Sequence, residues 1–226
     1  MTRSSSNNTW IKIQSLLNTI NHIFIGLVGI YITVLGKNLD FKDTAMHAFM
    51  TTIGYHVLMA EALMSHYKVN PITNRFSHRN KSRIHGILQF LGGSMALLGA
   101  LGKISATEND HFSTLHGKVG LAATFMCTVS ILGGLVNFFQ PKFAHKIYSP
   151  AEIKYRHNLF GMLTFSLGMA AVLLGYRTLF FWKYNDAEFV RVISLASVLV
   201  YCLTLIAPVL SLLDKIKLRK AHKQDI

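Results

Sequence analysis

Six apolar windows, each about as long as a bilayer's hydrocarbon core is thick, recur along the chain and leave little room for another architecture. They run from Gln14 to Gly36, His47 to His66, Ile84 to Lys103, His116 to Phe139, His157 to Phe181 and Phe189 to Leu213. Asn18, Asn21 and His22 interrupt the first, whereas Gly120 to Val136 and Val192 to Leu213 are almost wholly apolar. A helix satisfies its own backbone hydrogen bonds in hydrocarbon, and no strand-like alternation argues for a barrel. The pattern predicts an all-α bundle of six transmembrane helices. It is read as one domain over residues 1–226, with a short N-terminal segment 1–13 and a basic tail 214–226. Composition agrees: 51% of the residues are hydrophobic and only 15% charged, where a soluble domain carries roughly 25% charged residues. A disordered chain is excluded and a soluble enzyme disfavoured.

The formal charge of +13 raises the question of nucleic acid, because basic surfaces attract phosphate. Here the lysines and arginines lie in loops between apolar runs, where they set membrane orientation. One side collects 16 of them and the other 7. The bias predicts cytoplasmic N- and C-termini and gives no support to a nucleic-acid partner. The polar stretch Met1 to Thr9 is not followed by a short apolar run with a cleavage site. The first window is therefore expected to act as an uncleaved anchor. Cys127 and Cys202 fall inside apolar runs and read as small buried hydrophobes rather than a disulfide pair.

Placement of the histidines carries the functional argument. His47, His85, His116 and His157 open the second to fifth windows. Alternating topology then sets His47 and His116 at one face of a four-helix core, and His85 and His157 at the other. Ionisable residues inside a membrane are costly and point to function. Neutral imidazoles presented inward by a helical bundle are good iron ligands. Two axial histidines saturate a haem iron and suit it to electron transfer rather than oxygen activation. A single histidine of this kind is equally an ordinary packed side chain; four at matched depths are not. Small residues at sevenfold spacing (Gly86, Gly93, Ala100; Gly161, Gly168, Gly175) fit either a macrocycle or close helix packing.

With these features the chain resembles the cytochrome b561 family, and its domain-only subgroup in particular. The resemblance spans His47 to Leu213. It rests on the four histidines, the run Glu61-Ala62-Leu63-Met64 and the Leu115-His116-Gly117 opening of the fourth window. It implies two b-type haems per chain, one held by His47 with His116 and one by His85 with His157. It further implies cytoplasmic ascorbate as electron donor, monodehydroascorbate radical or ferric iron as acceptor on the far side, and a homodimer. The chain departs from the best-known ascorbate users at Ala62 to Asn70 and at Thr114 to Lys118, segments that border the two substrate sites. The expected setting is a multi-pass protein of the endoplasmic reticulum or a vesicle membrane.

Ascorbate is a small anion, so its site should present cations beside the cytoplasmic haem. Arg83 and Arg156, closest in sequence to the ligands, are the candidate catalytic residues, joined by Arg79, which shares a helix face with Arg83 if that turn is helical. Ordinary loop charge explains any one of them equally. Across the membrane, His111 in the run Glu108 to His111 could assist an acceptor, though a solvated loop explains it as well. Glu61 is the acid placed deepest in a window, and it needs a partner or a proton. The competing function is a histidine-lined metal-ion transporter, which calls for ligands near the midplane and broken helices. A haem-free scaffold gives the four histidines no purpose.

Overall fold

The computed structural model describes residues 2–108, 112–139 and 148–224, with side chains for 9–108, 112–139 and 148–217. Among the described residues the chain is all helical, with no strand. Helix α1 spans Thr2–Asn38. Then α2 (Asp43–Thr52), a π-helical segment (Ile53–Met59) and α3 (Ala60–Met64) follow without a break. Next come α4 (His78–Ser105), α5 (Leu115–Phe139), α6 (Pro150–Gly175), the short α7 (Leu179–Tyr184) and α8 (Ala187–Gln224).

Local chemistry explains these boundaries. After α1 the chain reverses through Asp40, Phe41 and Asp43, all in the left-handed region at φ of 53°, 51° and 45°. The Phe41 N–H closes the turn onto Gly36 O at 2.8 Å, and its ring lies where a side chain on residue 36 would sit. Only glycine fits there. Helices α4 and α6 begin about two turns before the apolar windows they carry, because serines cap them beyond the apolar run. Ser77 Oγ accepts the Asn80 N–H at 3.3 Å, and Ser149 Oγ accepts the Glu152 N–H at 3.2 Å. Pro150 occupies the first helical position, where its missing N–H costs nothing. The fifth window was drawn to Phe181, but α6 stops at Gly175 and α7 is a separate turn.

Among the described residues five helices are long and apolar enough to cross a membrane: Thr9–Asn38 in α1, all of α4, α5 and α6, and Ala187–Lys217 in α8. The second window falls on Asp43–Met64, which rewinds from α to π at Ile53, so no single helix there reaches spanning length. The rewinding coincides with a backbone-to-backbone crossing. A Cβ at Gly54 would lie 2.6 Å from Gly92 O, and one at Gly92 would lie 2.8 Å from Gly54 O.

The helices close a ring. The α2–π–α3 stretch packs on α4, α4 on α5, α5 along α6, and α6 returns to the π segment. Helices α1 and α8 pair outside it, against α2 through α3 and against α6. Large apolar side chains such as Ile30, Phe125, Leu132 and Leu195 face outward and are more than half exposed. Cladding of that extent suits lipid and not water, and the protein is an integral membrane protein. Cys127 is buried as expected, but Cys202 is exposed. A window apolar on every side does not reveal which face looks inward.

Proline 208 interrupts α8 and removes the N–H that Thr204 O would receive. The Tyr67 hydroxyl enters the gap, 2.9 Å from Thr204 O and 2.6 Å from Leu203 O, while accepting the Ala207 N–H at 3.0 Å. The stretch after α3 is thereby tied to the last helix.

Candidate functional site

Two histidine pairs face each other inside the ring, at separate levels. His47, one turn into α2, and His116, at the start of α5, have ring centres 5.9 Å apart with planes at 80°. His85 and His157, each two turns into α4 and α6, have ring centres 6.2 Å apart with planes at 83°. Along α4, His85 and Gly99, the residue beside His47, are separated by about 21 Å at 1.5 Å per residue. His157 and Ala171 on α6 repeat that interval.

Hydrogen bonds fix the orientation of three rings. His47 Nδ1 donates to Gly99 O, His116 Nδ1 to Ala171 O, and His85 Nδ1 to Ala62 O, each at 3.0 Å. A carbonyl accepts only, so the proton resides on Nδ1 and the Nε2 lone pair is free to bind a metal. The same bond raises the basicity of a ligating imidazole. His157 makes no such bond among the described residues; its Cε1 lies 3.7 Å from where a Cβ on Gly134 would be. Gly175 holds α6 equally close to His116, with a would-be Cβ 3.4 Å from its Cε1.

These residues fit haem. A metal bonded to two imidazole nitrogens at about 2 Å each sets ring centres roughly 6 Å apart, as both pairs are. Among the described residues no third histidine, cysteine, aspartate or glutamate joins either pair as a metal-binding cluster. An iron with two opposed imidazoles takes its remaining ligands from a macrocycle.

The cationic candidates separate on inspection. Arg79 and Arg83 do lie on one face of a helical turn, exposed at the start of α4. Arg156 is committed elsewhere: its Nε donates to Glu152 Oε1 at 2.8 Å, and its guanidinium stacks 4.4 Å from the Tyr148 ring centre. His111 lies outside the described residues. Three further groups lie at the His85–His157 end: Lys81, which the sequence places among the cations before His85, His66, to which it assigns no partner, and Lys215. The His66 ring centre is 5.1 Å from that of His85 and 5.8 Å from that of His78. Lys81 is buried, with its Nζ donating to Tyr67 O at 3.1 Å. Lys215, from the far end of α8, acts electrostatically on both His66 and His157. Lys81 precedes His85 by four residues, a same-face signal present in the sequence. Lys215 has no local signal.

Two opposed imidazoles at each of two levels, inside an apolar helical ring, form the donor arrangement of a membrane-bound b-type cytochrome. Residues 46–182, which include all four histidines, match the eukaryotic cytochrome b561 family. The chain belongs to that family. Relatives include the transmembrane reductase CYB561D2 of Bos taurus, 28% identical over 176 residues that make up 75% of this chain and 78% of that protein. The Homo sapiens transmembrane reductase CYB561D2 is 30% identical over 139 residues, 60% of this chain and 61% of that protein. Family membership implies b-type haem.

Proposed function

We propose that the protein is a transmembrane reductase, carrying electrons from cytoplasmic ascorbate to monodehydroascorbate radical or ferric iron on the lumenal or extracellular side. In this reading Asp43–Met64 is a sixth span, the ring of that stretch with α4, α5 and α6 is a four-helix core, and both termini are cytoplasmic. Residues 1–226 form one such unit in an endoplasmic reticulum or vesicle membrane. The observation that carries the reading is the pairing of imidazoles at ligand spacing, with Nδ1 committed to carbonyls at Gly99, Ala171 and Ala62.

His47 with His116 and His85 with His157 would each hold one b-type haem, which when bound would supply a one-electron carrier. The chain does the rest. Carbonyls of neighbouring helices hold three imidazoles in the ligating tautomer. Exposed Arg79 and Arg83, with Lys215 at the end of α8, set a positive field that concentrates an anionic donor beside the His85–His157 pair. Buried Lys81 supplies a fixed charge at the same end. Arg156 contributes less, because Glu152 neutralises it. Metal-ion transport, the competing reading, calls for paired ligands at mid-depth, whereas these pairs stand at opposite ends of the ring.

The test is the visible spectrum of the purified protein before and after ascorbate addition. Sharp reduced b-type bands are expected, and His85→Ala or His116→Ala should each remove one of two haem equivalents. A colourless preparation made with ample haem supply would overturn the reading.

A further inference from the structure

A second polar site lies where α1, α3 and α8 meet, and neither haem pair uses it. His22 Nδ1 and Glu61 Oε1 are 2.7 Å apart, linking α1 to α3. On the same face of α1, Asn21 is 0% exposed and donates to Thr204 Oγ1 of α8 at 3.0 Å and to Met64 Sδ at 3.2 Å. Three atoms of this cluster are buried and have no partner among the described residues: His22 Nε2, Asn18 Nδ2 and Asn21 Oδ1. Buried polar atoms in native proteins are almost always satisfied, and polar chambers of this kind hold ordered water. Asn18, at 4% exposure, stands one turn before His22.

We propose that the His22–Glu61 dyad is a hydrated proton site that takes up one proton as an electron arrives at the His85–His157 level. The inference rests on the haem reading above. One link is covalent: the carbonyl holding His85 Nδ1 belongs to Ala62, the residue after Glu61. The other is electrostatic, because a charge added in a low-dielectric interior favours protonation of nearby bases. With Nδ1–H given to the Glu61 carboxylate, the His22 Nε2 lone pair is the open position. The proton comes from cytoplasmic water and forms one N–H bond at Nε2. The resulting imidazolium is balanced by the Glu61 carboxylate, and only the haem iron changes oxidation state. Around the dyad, α1 presents Asn18 and Asn21, α3 presents Met64, and α8 presents Thr204, all uncharged. Among the described residues neither His22 nor Glu61 makes another ion pair.

The test uses the full-length, haem-loaded protein in lipid, titrated redox-wise across roughly pH 5 to 8, the range in which imidazoles change charge. Uptake on reduction means that acid favours the reduced state. One midpoint potential should therefore fall as pH rises, with a slope of one proton per electron, while the other stays flat. Glu61→Gln and His22→Gln should each flatten the sloping haem and keep both haems. A flat profile in the unmodified protein, or a slope that survives both substitutions, overturns the proposal. Should a substitution cost a haem, redox-difference infrared spectra of the unmodified protein with isotope-labelled histidine decide: imidazolium must appear on reduction, and its absence is equally fatal. A haem-free preparation sinks the haem reading instead, so the two failures are distinct.

Discussion

The two histidine levels use the same donor atoms in different surroundings. At the His47–His116 level both imidazoles are braced by carbonyls of neighbouring helices, Gly99 O and Ala171 O. At the His85–His157 level, among the described residues, His85 alone is braced, by Ala62 O, and the neighbourhood holds His66, Lys81 and Lys215. One site is held by two carbonyls; the other is held by one and lies among cationic side chains. Ligand identity sets what each site binds, and the shell around it sets how readily the site exchanges ligands and which charge it attracts. The cationic level is the one that attracts an anion.

The largest effect that tests this contrast is ligand displacement. Second-shell partners of metal-bound histidines are worth about 10- to 100-fold in affinity. A single-haem variant retaining His85 and His157 (His116→Ala) should bind carbon monoxide at least tenfold more readily than one retaining His47 and His116 (His85→Ala). Equal binding in reduced spectra would erase the distinction in bracing. Next, Lys81→Met removes a buried charge that makes a hydrogen bond to Tyr67 O. Local charge of one sign raises the on-rate of an oppositely charged partner by about tenfold or more, so stopped-flow reduction by ascorbate should slow by about tenfold. Reoxidation by an acceptor on the far side should not change. Smaller again is the response to salt. Raising ionic strength from about 0.01 M to 0.15 M shortens the screening length from about 30 Å to 8 Å, and ascorbate reduction should slow a few-fold while an uncharged reductant is unaffected. Smallest is Arg156→Gln. Its guanidinium is half-exposed and already paired with Glu152, and exposed pairs are worth at most about 1 kcal/mol. The same stopped-flow assay should move by less than about twofold, against a larger loss for Arg83→Gln.

Much of this arrangement is legible in the chain itself. Apolar length gives the helices, and topology sorts four histidines into two levels, because depth in a bilayer is a one-dimensional coordinate that sequence records directly. The caps were readable too: Ser149-Pro150-Ala151-Glu152 is an N-terminal helix signature, yet hydropathy places the fifth window at His157 because the capped turns lie outside its apolar run. What sequence does not carry is contact between distant segments. The π segment occurs where Gly54 meets Gly92, and no propensity at Ile53–Met59 announces it. Lys215 acts on His157 from another helix, and Arg156 pairs with Glu152 one turn back. Those outcomes depend on rotation about helix axes and on partners far along the chain.

The tie between Tyr67 and α8 bears on the order in which the protein can be completed. The hydroxyl sits in a break created by Pro208, so this tie cannot form until the last helix is made, whereas the bond from Lys81 Nζ to Tyr67 O needs only α4. During synthesis, His85 and His157 emerge well before that helix does. The receiver for Tyr67 and the Lys215 charge therefore reach that end of the molecule together, with the C-terminal segment.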